Sequence, residues 1–398
     1  MKKLHIADTD QIRAGEVTDV YFVRTEKILK EKNLDKHVCM EIFLKSFPEE
    51  EYRWGVFAGL EEVCVLLEGR PVTVSALPEG SVFFPQTPVM TIEGRYLDFG
   101  ELETAILGCL CQASGIATKA SRFRVAAGEK TLLSFGARRM HPAIAPMVER
   151  AAFIGGCDGV SAVASARLIG EEPSGTIPHA LVLIVGDTVA ATKAFDEVID
   201  RSVPRVSLID TFQDEKFEAV RVAENLGARL FGVRLDTPSS RRGDFRNILK
   251  EVRWELDLRG FTDVKLIVSG GLNVSDVLEL TDVVDSFGIG THISSAAVLD
   301  FSMDIVEVEG KPLAKRGKLS GKKSVLRCPS CREDIVVPYG TLAKCTCGGD
   351  PVPRLVSIME SGCMTYDFPT PRQIRARCIE EIKVLRNDTS QKEFLGLC

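Results

Sequence analysis

Between residues 131 and 291 the chain repeats one hydrophobic pattern. Short, mostly apolar runs start roughly 20 to 35 residues apart: TLLSFGARR (131–139), CDGVSAV (157–163), ALVLIVGD (180–187), RVSLIDTF (205–212), LFGVRLD (230–236), KLIVSGGLN (265–273) and VVDSFGIGT (283–291). Segments with apolar residues at helical spacing separate several of them, such as DEKFEAVRVAENLGA (214–228) and DFRNILKEVRWELDLRG (244–260). Strand then helix, repeated at this period, means parallel strands with crossover helices. Runs so uniformly apolar fit burial on both faces. The pattern predicts an α/β fold, a βα barrel that is closed, irregular or incomplete, with an open doubly wound sheet as the alternative.

The flanks read differently. Residues 16–46 look mainly helical, because VYFVRTEKILKEK spaces its apolar positions at helical intervals. Residues 70–96 alternate β-branched runs (VTVSA, SVFF, VMTIEG) with proline- and glycine-containing turns, which predicts a small β-barrel or sandwich. Residues 98–128 look like one or two helices rich in small residues. Beyond about 300 the barrel rhythm stops: a basic loop, a cysteine cluster and a final helical stretch, PRQIRARCIEEIKVLRN, follow. The expected organisation is an N-terminal α+β domain (1–110), the βα barrel (111–299) and an appended C-terminal region (300–398) that folds back on the N-terminal β domain.

Composition narrows the function classes. The chain has 398 residues, 45% hydrophobic and 27% charged, an ordinary globular balance. A net charge of −6 argues against a nucleic-acid protein but not against anionic substrates, which local cations can bind. No apolar run approaches membrane-spanning length, and the start MKKLHIADTDQIRAGE has no apolar core of a signal peptide. A cytoplasmic chain with no membrane partner is expected. Of twelve cysteines, Cys39, Cys64, Cys109, Cys111, Cys157, Cys363, Cys378 and Cys398 are scattered, and most neighbour apolar residues, as small core residues do in a reducing compartment.

In a βα barrel, chemistry gathers at the C-terminal ends of the strands. The polar residues expected there are Arg138 and Arg139, Asp158, Asp210, Arg234 and Asp236, Gly270 and Gly271, and Gly290 with Thr291. The last two strand ends suit phosphate, because glycine lets backbone N–H groups approach its oxygens. Adjacent guanidiniums at 138–139, with Arg234, suit a diphosphate or a carboxylate. Asp158, Asp210 and Asp236 suit ribose hydroxyls, Mg²⁺ held through water, or a cationic transition state. His179 follows the small residues Ser174-Gly175-Thr176.

These motifs carry a family resemblance over roughly residues 10–325. VTDVYF (17–22), SFGARRMHP (134–142), GGCDGVS (155–161), SGTIPHAL (174–181), VRLDT (233–237), SGGLN (269–273), FGIGT (287–291) and KLSGKK (318–323) resemble the nicotinate phosphoribosyltransferases, in the wider group that includes the quinolinate and nicotinamide enzymes. The resemblance implies transfer of phosphoribosyl from phosphoribosyl pyrophosphate to nicotinate. It implies that Tyr21 stacks on the pyridine ring, that Arg138 and Arg234 meet the carboxylate or pyrophosphate, and that Thr176 lies beside nicotinate. By the same carry-over Gly270, Gly271, Gly290 and Thr291 hold the 5′-phosphate, Lys315 and Lys318 reach the pyrophosphate, and His179 matches the histidine that ATP phosphorylates in ATP-coupled members. It further implies a homo-oligomer in which the N-terminal aromatic comes from a neighbouring subunit. The chemistry is consistent with these residues: a pyridine nitrogen has its lone pair free at neutral pH, so no general base is needed, and the protein must mainly position reactants and stabilise separating charge.

The cysteine cluster departs from the family core. Cys328-x2-Cys331 and Cys345-x-Cys347 resemble a zinc ribbon or knuckle, in which four thiolates make a closed structural zinc site. The competing readings are a quinolinate phosphoribosyltransferase, whose second carboxylate calls for more basic groups at the ring, and a binding module built on the cysteine cluster with the barrel as scaffold. Negligible nucleic-acid affinity separates the last from an enzyme.

Overall fold

The computed structural model describes residues 4–49, 51–386 and 389–397, so Lys2, Lys3 and Cys398 lie outside the described residues. The chain divides into two compact units, one of residues 1–118 with 297–396 and one of residues 119–296. The long helix Glu103–Ala127 runs through the division.

In the unit of residues 119–296, six strands form one all-parallel sheet: β1 (Thr131–Ser134), β2 (Gly159–Val160), β3 (Val206–Leu208), β4 (Gly232–Leu235), β5 (Lys265–Val268) and β6 (Ser286–Ile289). Their spatial order is β2-β1-β6-β5-β4-β3. Consecutive strands are neighbours except at the break, and β6 returns beside β1. That is the order of a ring cut once, between β2 and β3, and not the reversing order of a doubly wound sheet. The incomplete form of the barrel is therefore the one this chain adopts.

The cut has a local cause. The run ALVLIVGD, expected as a strand, is helical. After α1 (Ala145–Ile154) and α2 (Val163–Ile169), His179–Val185 forms α3, with Pro178 at its N-cap and Gly186 ending it at φ +84°. A short apolar run does not by itself distinguish strand from helix. Only Val182 of α3 is buried, whereas Leu183 and Ile184 are exposed, so this run never had two faces to bury. With α4 (Thr188–Val198) it fills the stretch where a further strand was expected. The remaining crossovers are α5 (Glu215–Leu226), α6 (Phe245–Leu258) and α7 (Val274–Leu280). Two acids clamp strand starts: Asp158 Oδ2 accepts from the Leu132 N–H and Asp285 Oδ2 from the Leu266 N–H, both at 2.8 Å.

The other unit is built on a seven-stranded antiparallel sheet. Its order is Lys311–Pro312, Phe301–Val308, His37–Leu44, Pro88–Arg95, Thr73–Ala76, Val356–Glu360 and Cys363–Met364. Residues 16–46 are thus only half helical. Val20–Lys32 is a helix, ended by Asn33 in the left-handed region, and His37–Leu44 is the central strand, buried from Val38 to Leu44. Ile42, Leu44, Val74, Met90 and Ile92 pack there with Ile358 and Met359, so strands from both ends of the chain share one core. A three-stranded sheet (Lys323–Arg327 between Asp334–Pro338 and Val352–Pro353) is tied down by a buried charge network. Arg327 and Arg354 both pair with Asp334 and Glu381, and both donate to the Val82 carbonyl. Among the scattered cysteines Cys39, Cys64, Cys157 and Cys378 are buried, Cys109 and Cys111 half-buried, and Cys363 is exposed, contrary to a core role. Among the described residues no helix is long and apolar enough to cross a membrane.

Candidate active site

The C-terminal ends of the parallel strands converge on a cavity of about 480 Å³ within the unit of residues 119–296. Each strand places its polar residue by simple geometry. β1 runs into a tight turn, Ala137–Arg139, that presents Arg138 and Arg139 to the cavity. In β4, Val233 and Leu235 are fully buried while Arg234, one residue out of phase, lines the cavity, followed by Asp236 at the strand end. β5 ends in Ser269-Gly270-Gly271 and β6 in Gly290-Thr291, all lining the same space, as does Thr176.

The glycine turn is a steric requirement. Gly270 and Gly271 have φ of +94° and +72°, and a Cβ on Gly270 would lie 2.9 Å from the Asp236 carbonyl oxygen. Beside it, Ser269 Oγ donates to Asp236 Oδ1 at 2.7 Å, which fixes that carboxylate at the cavity wall. Asp210 follows β3, with Oδ1 3.3 Å from His179 Nε2. His179 is the first residue of α3. Burial pushes the Asp210 carboxyl up, and Asp236 adds to this, while His179 opposes it. Burial pulls the Arg234 guanidinium down against the opposing pull of Asp236 and Asp210. Thr176 Oγ1, Thr211 Oγ1 and Arg234 Nε are buried without a hydrogen-bond partner among the described residues. Buried polar atoms are normally satisfied, so three such atoms around the strand ends fit a place built for a ligand.

Asp158 does not join this group. It precedes β2 instead of following it, accepts from Arg124 Nη1 at 2.8 Å as well as from the Leu132 N–H, and so sits at the opposite, N-terminal end of the sheet. Tyr21, Lys315 and Lys318 belong to the other unit. Tyr21 is 55% exposed on the helix Val20–Lys32, and Lys315 and Lys318 both pair with Asp304, at 2.5 and 2.9 Å. The cavity also has walls that the strand-end reading missed: Phe135, Ser161 and Ala162. Gly288, in the FGIGT strand end, lines it with Gly290; it breaks an apolar strand, and a Cβ there would strike the Phe135 ring at 2.4 Å.

In the unit of residues 1–118 and 297–396, the sulfurs of Cys328, Cys331, Cys345 and Cys347 all lie within 4.8 Å of one another. Two tight turns aim them. The Arg332 N–H donates to the Cys328 carbonyl with Arg332 at φ +63°, and the Gly348 N–H donates to the Cys345 carbonyl with Gly348 at φ +84°. Gly349 has to be glycine, since a Cβ would fall 2.8 Å from Cys328 Sγ.

Two family models cover most of the chain: the quinolinate phosphoribosyl transferase N-terminal domain matches residues 19–114 and its C-terminal domain residues 116–304. The chain belongs to this phosphoribosyltransferase family. The crystal structure of nicotinate-nucleotide pyrophosphorylase from Pyrococcus furiosus is 55% identical, covers 98% of this chain and 100% of that one, and superposes with a TM-score of 0.95. A nicotinate phosphoribosyltransferase of Mycobacterium tuberculosis is 29% identical over 83% of each chain. Human nicotinic acid phosphoribosyltransferase, 20% identical over 95% of each chain with a TM-score of 0.73, shares the fold. Membership in this family makes the cavity at the strand ends the place to look for phosphoribosyl transfer.

Proposed function

We propose that this enzyme transfers the phosphoribosyl group of phosphoribosyl pyrophosphate to nicotinate, giving nicotinate mononucleotide and pyrophosphate, a step of NAD salvage. The observation that carries the reading is that one cavity joins three guanidiniums (Arg138, Arg139, Arg234) to two glycine turns and a carboxylate at the ends of parallel strands. The names of the relatives agree, including a pyrophosphorylase of nicotinate nucleotide at 55% identity. In this reading Gly270, Gly271, Gly290 and Thr291 hold the 5′-phosphate, the arginines hold pyrophosphate and carboxylate, and Thr176 lies beside the ring. Asp210 and Asp236 face the sugar, where fixed negative charge stabilises the oxocarbenium character of C1 as pyrophosphate leaves and the pyridine nitrogen bonds. Oxygen donors of this kind fit Mg²⁺, which Asp210 and Asp236 would hold through water and which would offset the charge on the diphosphate.

The four sulfurs are the donor set and number of a closed structural zinc site. Tyr21 stands on a helix whose Val20, Val23 and Ile28 are also exposed, which supports a homo-oligomer that covers this face and shares its sites. ATP coupling would act at His179, and an acid-labile phosphate on His179 after incubation with ATP is its signature.

The deciding assay offers nicotinate, nicotinamide and quinolinate in turn with phosphoribosyl pyrophosphate. Nicotinate is expected to exceed nicotinamide in kcat/KM by about 10- to 100-fold, since a hydrogen bond from a guanidinium to a carboxylate is about twice as strong as one to a neutral amide. Preferred use of quinolinate, or equal use of acid and amide, overturns the reading.

A further inference from the structure

Ser161 and Ala162 form a wall of the cavity that the sheet cannot hold. They follow β2, a strand of two residues that pairs only through Leu133–Gly159 and Ser134–Val160 and lies at the cut edge of the ring. What holds the wall is a carboxylate from behind. Glu149, on α1 and fully buried, accepts from the Ser161 N–H at 2.9 Å and Ser161 Oγ at 2.8 Å through Oε1, and from the Ala162 N–H at 2.9 Å through Oε2. A carboxylate this deeply buried costs several kcal/mol unless its lone pairs are satisfied, and here three donors satisfy them. Two more walls adjoin this contact. The Ser174 N–H donates to the Val160 carbonyl at 2.8 Å, which places the Ser174–Thr176 segment beside β2. Upstream, α1 follows the turn that carries Arg138 and Arg139.

We propose that Glu149 is a positioning residue for the transfer: one buried carboxylate sets the spacing between the arginine turn after β1 and the Ser161–Ala162 and Ser174–Thr176 walls. This rests on the phosphoribosyl-transfer reading above. Because their amides are committed to Glu149, Ser161 and Ala162 are not donors to substrate anions. They shape the cavity, while the arginines and glycine turns provide the binding. Loss of the carboxylate therefore acts on alignment more than on affinity. When the acceptor nitrogen is misplaced, the bond from C1 to pyrophosphate still breaks, but water forms the new C1–O bond and loses a proton, giving ribose 5-phosphate and pyrophosphate.

The test compares wild type, Glu149→Gln and Glu149→Asp, with folding checked by circular dichroism and melting. The readouts are kcat, KM for both substrates, and the ratio of pyrophosphate to nicotinate mononucleotide. In Glu149→Gln an amide NH₂ faces backbone donors, so part of the wall is released. The expectation is a kcat about 10- to 100-fold lower, KM for phosphoribosyl pyrophosphate within about threefold, and pyrophosphate in clear excess over nucleotide. Glu149→Asp keeps the charge and both acceptors but draws the wall back by one methylene, and is expected to show the same excess with a smaller loss of kcat. A merely structural role lowers the active fraction and leaves the product ratio at one. Either folded variant with wild-type kcat and product ratio overturns the proposal, as does a loss proportional to the unfolded fraction. A wild type that makes no nucleotide from nicotinate refutes the functional reading instead.

Discussion

Glu103 stands half-buried at the start of the helix Glu103–Ala127, and its carboxyl is pushed up to about 7, first by burial and then by Asp304, with Lys315 opposing. An acid whose folded-state pKa is raised binds more protons folded than unfolded between the two values, so stability falls as pH rises from about 4.5 through 7. After allowance for its partial exposure, the effect is about 1–2 kcal/mol. Glu103→Gln is expected to flatten this part of the pH–stability curve and to raise stability at pH 8, read as urea midpoints at pH 5 and pH 8. An unchanged slope in the variant refutes the assignment. At this same scale the sequence was informative wherever residue type and strand phase agreed: Arg138, Arg234, Asp236 and Gly270 all reach one cavity. Asp158 shows the limit. An acid just before a strand and an acid just after one look alike in sequence, and only the observed start of β2 at Gly159 sends Asp158 to the far end, where it clamps Leu132 as Asp285 clamps Leu266.

At the scale of elements, periodicity found the parallel strands but not the cut in the ring. The run at 180–187 is as apolar as the true strands, and its helical state is set by Pro178 and Gly186 at its ends and by exposure on one face. The helical reading of residues 16–46 failed at Asn33, where the chain turns left-handed and leaves the helix for the strand His37–Leu44. The turn after β5 tests the element logic directly. In Gly270→Ala the new Cβ meets backbone at 2.9 Å in addition to the positive φ, whereas Gly271→Ala meets open space and pays only for its φ. A left-handed backbone costs a non-glycine residue about 1–2 kcal/mol. Gly270→Ala is therefore expected to raise KM for phosphoribosyl pyrophosphate more than tenfold, and Gly271→Ala by a clearly smaller factor, measured by steady-state kinetics at saturating nicotinate. Equal effects would show that the close approach to Asp236 does not govern the turn.

On the scale of the whole molecule, the cavity is lined by residues 135–291, whereas the four clustered cysteines belong to the unit of residues 1–118 and 297–396. The two can therefore be separated experimentally. The cysteine turns sit at the tip of the sheet containing Lys323–Arg327 and Asp334–Pro338, and that sheet is fastened by Arg327, Arg354, Asp334 and Glu381 to Val82. A zinc ion among the sulfurs would cross-link residues 328–331 with 345–347 and add its binding energy to folding, because the unfolded chain offers no preformed site. The purified protein is expected to carry about one zinc per chain, the stoichiometry of a four-thiolate site. Cys328→Ser should lose the metal and lower the melting temperature by at least about 5 °C, the shift that a loss of 2 kcal/mol or so gives a domain of ordinary size. Well below that temperature kcat should stay within about twofold, because a closed four-sulfur site has no open position for chemistry. Metal analysis of unchelated protein, melting curves and initial rates decide it together. Zinc-free wild type removes the metal from the account, and a folded Cys328→Ser protein without transferase activity would show that the cluster reaches the chemistry after all.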